Sequence, residues 1–161
     1  MAIDPHGFTD DYTGRTVDLS LIRVFPVSPN DAYPLIIPEP GGELATGVEK
    51  AAQQWLVHFL TRRGTVIGDP QYGTEFMTLL MQRTLRNEMD VTQAFAEAVQ
   101  SINSYTSALL TGTEPPDEVI VNAQLLDGWD VTPDTLKLRI GLTTQAGATR
   151  EVVLTTPVVI K

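Results

Sequence analysis

TRRGTVIGDPQYGTEFMTLL, residues 61–80, packs a helix end, a rigid polar turn and a new helix start into one short stretch. Apolar helical spacing runs into Arg62 and Arg63, and cations suit a helix C-terminus, where unpaired carbonyls carry partial negative charge. Gly64 stands where a helix commonly exits through a left-handed residue. Thr65, Val66 and Ile67 are β-branched and read as a short extended piece. Gly68, Asp69 and Pro70 are turn chemistry, and Pro70 biases Asp69 away from helix. Gly73 follows, then Thr74 as the expected N-cap of a second helix with Glu75 in its first turn. So many glycines and a proline imply a shaped loop, which either braces a fold or presents a binding surface.

Upstream of the loop, residues 46–63 form the strongest predicted helix. Thr46 and Glu49 suit a capping box. Val48, Ala51, Ala52, Trp55, Leu56, Phe59 and Leu60 follow the spacing of one buried stripe. His58 reads as an edge or solvated histidine, since a metal site needs several convergent donors. Further upstream, residues 1–14 are polar and show no period, which reads as a disordered or partner-ordered arm. Residues 16–27 alternate and predict one extended strand. Pro26, Pro29, Pro34, Pro38 and Pro40 then exclude central sheet and predict an extended stretch, lying on the surface or on a neighbouring subunit.

Downstream, a short helix buries Phe76, Leu79 and Leu80. A third helix is predicted over 87–110, with Asp90 and Gln93 as a capping box. Val91, Phe95, Ala98, Ile102, Tyr105 and Leu109 make a narrow seam that packs on the first helix or on a sheet. Gly112, Pro115 and Pro116 end it. The remainder is β. Residues 119–126 form a strand and residues 128–133 a turn. Leu136, Leu138, Ile140 and Leu142 alternate with polar or small residues, as a half-buried antiparallel strand requires. Gln145 to Ala148 makes a hairpin, and residues 149–155 return, closed by Pro157. The expected architecture is α+β: an extended arm over 1–45, then a single domain over 46–161 of three helices and an antiparallel meander of about three strands.

The return strand has a weakly defended edge. Arg150 and Glu151 lie near its start, but Val152, Val153, Leu154 and Thr155 carry neither charge nor proline. That is a docking rail for another strand.

Composition narrows the function. The chain has 161 residues and a formal charge of −9, which argues against general nucleic-acid binding. There is no cysteine, so disulfides and Cys-based zinc sites are excluded. No apolar run approaches a membrane span of about 18 residues, and the N-terminus lacks a secretory signal pattern. The two histidines, His6 and His58, give no metal spacing, and no cofactor motif is present. Asp69 and Glu75 are the only closely spaced carboxyls in the shaped loop. A glycosidase needs such a pair, but turn formation and helix-terminus preference already account for both. A free-standing binding module often displays aromatics, but here they mostly fall on predicted core faces, with Tyr33, Tyr72 and Trp129 as exceptions in loops.

Thr61, Gly64, Thr65, Pro70, Tyr72, Gly73, Leu79 and Leu80 carry a resemblance. Their spacing is similar to that of the baseplate wedge, or sheath-initiator, family of contractile phage tails, which includes the lysozyme-like wedge protein of T-even phages. Type VI secretion baseplates have a related subunit. The resemblance covers roughly residues 48–160. The chain departs from it after Leu80: many members continue with an aromatic and an acidic-Pro-Arg motif, where this chain has Met81, Gln82, Arg83 and Thr84. The resemblance implies a non-enzymatic, cofactor-free subunit of the inner baseplate, present in multiple copies in a symmetric assembly. Its implied partners are other wedge and hub proteins and the tail tube and sheath, with neither nucleic acid nor membrane. It would reside in the virion tail, and in the host cytoplasm during assembly. Arg62, Arg63, Asp69, Tyr72, Glu75, Gln82 and Arg83 are the candidate partner-facing residues of the loop region. The alternatives are a muramidase-like hydrolase and a free-standing binding module.

Overall fold

A computed structural model describes residues 18–19, 44–132 and 135–157. The expectations for the proline-rich stretch and most of the predicted strand over 16–27 lie outside these residues. What is described of that strand is β1 (Asp18–Leu19), which pairs antiparallel with β2 (Leu44–Ala45).

α1 (Gly47–Leu60) follows directly. Its start corrects the expected capping box: Thr46 makes no side-chain cap bond. Gly47 opens the helix in a left-handed conformation, φ 54°. The Thr46 carbonyl still accepts the N–H of Glu49 at 3.2 Å. The helix is also shorter than expected, because Arg62 and Arg63 lie beyond its C-cap, Thr61. It is buried on more than one stripe: Lys50, Gln53 and His58 are covered along with Trp55, Leu56 and Phe59. α2 (Phe76–Met81) and α3 (Glu88–Leu109) pack against it.

α3 starts where predicted, with Asn87 as its N-cap, but the cap is not the expected Asp90–Gln93 box. The Asn87 side chain accepts the Asp90 N–H at 2.9 Å, and the Asp90 carboxylate accepts the Arg86 N–H at 3.0 Å. These two bonds satisfy one donor in the first turn and one just before the helix. Asn87→Ala should cost about 1 kcal/mol, read as a lower urea midpoint with an unchanged slope. Unchanged stability would mean that the cap is idle. Of the predicted seam, Val91, Phe95, Ala98 and Ile102 are buried, while Leu109 is exposed.

Four aromatic rings make the centre. Phe59, 0% exposed, stacks on Trp55 at 5.1 Å and meets Phe76 at 4.7 Å and Phe95 at 5.8 Å. The sheet closes this core from the other side. β5 (Thr135–Thr144) is its hub and buries Leu136, Leu138, Ile140 and Leu142. β6 (Thr149–Pro157) pairs along one side of β5. β3 (Ile120–Leu125) and the two-residue β4 (Asp130–Val131) share the other side. The fold is therefore α+β, with three helices followed by an antiparallel sheet. The sheet has four strands where about three were expected, since β4 is too short for alternation to reveal.

Candidate functional site

The shaped loop leaves α1 at Thr61 and is pinched shut at its base. Arg62 and Thr74 form a parallel bridge. The Thr74 N–H donates to Thr61 O at 2.8 Å, and the Arg63 N–H to Thr74 O at 3.1 Å. Thr74 is not the N-cap of α2: that position is Glu75, which is exposed and makes no cap bond. The buried Thr74 hydroxyl instead donates to Phe59 O at 2.8 Å, satisfying a carbonyl at the end of α1. Gly73 sits where the strands of the neck nearly touch. Its φ is 95°, and a Cβ there would lie 2.6 Å from Thr61 O.

Above the neck, the β-branched run is not the expected extended piece. It lies in tight turns: Thr65 N–H to Arg62 O, then Asp69 N–H to Val66 O, both at 3.2 Å. Val66 and Ile67 are exposed at the tip. The far side of the loop is fastened to the helices. The Asp69 carboxylate accepts the Tyr72 N–H at 3.2 Å and the Tyr105 hydroxyl. The Arg63 guanidinium donates to the Ser101 hydroxyl on α3.

His58 lies under this arrangement and corrects the expectation of an edge histidine. It is 4% exposed. Tyr72 stacks on it at 4.2 Å, and Tyr105 meets it edge-on at 4.8 Å. Burial holds its pKa below the usual 6.5, helped by Arg63 and opposed by Asp69 and by a hydrogen bond to the Gly73 backbone. The bond to Asp69 foremost, and then burial, raises Tyr105; burial raises Tyr72. The sequence held the clue, since His58 follows Ala51 and Trp55 at seven and three residues, within the spacing of a buried face.

The seven candidate residues thus divide. Asp69 and Tyr72 are half-buried and turned to internal contacts. Arg62, Arg63 and Glu75 are exposed around the neck. Gln82 and Arg83 are exposed at the end of α2, where Arg83 takes a left-handed φ of 59°. Sequence reasoning passed over Ile67, whose exposure follows from turns that only the folded loop shows.

The second candidate surface is the outer edge of β6. Arg139 O accepts the Leu126 N–H at 2.8 Å, on the β3 side of β5. Arg139 is opposite Val153 on β6, so that pair is the non-hydrogen-bonded kind and the Val153 N–H and C=O point away from β5. The same holds two residues to either side, at Glu151 and Thr155. No described strand pairs with that edge. Val152 is buried, Leu154 half-buried, and Val153 is 40% exposed.

The chain matches no protein-family model, no curated protein and no solved structure. Its surfaces must be read on their own. Among the described residues no group of three His, Asp or Glu side chains could hold a metal ion, and no helix is long and apolar enough to cross a membrane.

Proposed function

We propose that this protein is a structural subunit of a contractile-tail baseplate, an inner wedge component whose sheet edge receives strands of the sheath. The observation that carries this is the outer edge of β6. Glu151, Val153 and Thr155 aim their backbone groups away from β5, and Val152–Thr156 carries no charge or proline to discourage pairing. An extended segment of a neighbour satisfies those groups with main-chain bonds, and alternate side chains set its register. The resemblance in the loop, at Thr61, Gly64, Tyr72 and Gly73, supports the same reading. So does the placement of the carboxyl pair that an enzyme would need. Asp69 ties the loop to Tyr105, and Glu75 lies exposed at the start of α2. In this reading the protein acts by assembly with wedge, hub, tube and sheath proteins, not by turnover.

Val153→Pro tests the edge. Proline removes an N–H that β5 does not use, so the protein's own ladder stays intact. The variant should keep its far-UV circular dichroism while sheath fails to polymerise on baseplates that carry it. Sheath of normal length on such baseplates, seen by electron microscopy, would sink the proposal.

A further inference from the structure

Three parts of the fold meet at one imidazole. His58 belongs to α1, Tyr72 to the shaped loop and Tyr105 to α3, and the two tyrosine rings also meet each other edge-on at 5.5 Å. The Asp69 carboxylate accepts both the Tyr105 hydroxyl and the Tyr72 backbone N–H, so the loop cannot lift from α3 without parting this cluster. We propose that His58 is a proton-operated latch: as the neutral ring it fastens the loop over 64–73 to α1 and α3, and on taking up a proton it lets the loop loosen while the core stays folded.

The groups around the ring make protonation unfavourable in the closed arrangement. One ring nitrogen bonds to the Gly73 backbone. The other, Nε2, is buried and has no hydrogen-bond partner among the described residues. A proton there creates a buried charged donor with nothing to receive it. Arg63 adds repulsion from the loop, and Asp69 is the opposing charge. Tyr72 and Tyr105 are held neutral by burial and by Asp69. Asp18 of β1 and Glu118, just before β3, line the adjoining cavity of about 460 Å³, as does Trp55. With the loop released the imidazole returns to water and to its ordinary affinity for protons. The released state therefore binds the proton more strongly, and attachment is full above about pH 6.5 and weakens as the pH falls below it.

The experiment is backbone amide exchange of the full chain between pH 7.5 and 5, corrected for intrinsic exchange and followed beside the His58 ring resonances. Protection over residues 64–73 should fall with the His58 titration, by up to about tenfold per pH unit, the limit for one linked proton. Protection in α3 and β5 should hold. His58→Phe keeps an aromatic ring and removes the titration, so its loop protection should be flat across this range. Two further variants guard against a misfolded one. Arg63→Gln should move the midpoint up and Asp69→Asn should move it down, because the first removes a repelling charge and the second an attracting one. Loop protection that ignores pH in the parent chain would overturn the latch. So would a pH response that persists in His58→Phe, or midpoints that do not part in these directions.

Discussion

Phe59→Ala is expected to cost about 3–5 kcal/mol, the range for removing a fully buried aromatic ring. Phe59 touches water nowhere and has the rings of Trp55, Phe76 and Phe95 around it, one from its own helix and one from each of the others. The vacated space cannot be filled by a shift of one element, because α1, α2 and α3 all border it. Domains of this size hold only about 5–15 kcal/mol in total, so the variant should melt far below the parent in a calorimeter. Phe59→Leu should lose much less, since it retains most of the volume. A loss below about 1 kcal/mol for the alanine variant would show that the ring cluster is not the centre of the fold.

Gly73→Val is the second large effect. Two costs act at once. A left-handed backbone costs a β-branched residue about 1–3 kcal/mol, and here φ is 95°. A Cβ would also lie 2.6 Å from Thr61 O and 2.9 Å from Arg62 C and Arg63 N, all backbone atoms. Relieving that overlap means opening the neck, at the price of the bonds between Thr74 and its partners Thr61 and Arg63. Together these should remove about 3 kcal/mol or more. Gly64→Val is the internal control. Gly64 also has a positive φ, 79°, but a Cβ there meets nothing within 4 Å, so only the backbone cost applies. Equal losses in the two variants, measured by urea unfolding, would show that the close approach at the neck does not matter.

Those two positions show how far the sequence could be read. Gly64 and Gly73 were recognisable as special because both fall in a compressed turn between two predicted helices. That one is crowded and the other open depends on where Thr61 passes, which no local pattern reveals. Thr74 was misplaced for a related reason. Its type favours an N-cap, but its hydroxyl reaches Phe59 O, fifteen residues back. β5 was legible because one of its faces is buried and the other is not, which forces alternation. α1 was only partly legible. The two other helices and the sheet all contact it, so a single-stripe pattern undercounts its buried side chains and leaves Lys50 and Gln53 outside. The β6 edge was visible as a run without charge or proline. Which of its residues turn their N–H outward required the register against Arg139.

The pinched neck has one more consequence, for how such a surface can change over time. Thr61, Arg63 and Thr74 close the loop with their own backbone bonds, and Asp69 and Tyr72 moor one flank. The tip, residues 65–68, takes no part in the core, and lengthening a closed loop costs only about 0.6 kcal/mol per doubling. The tip is therefore a cassette. Its sequence and length can drift or be exchanged while the frame beneath persists, so that one scaffold can be refitted to different neighbours without being redesigned.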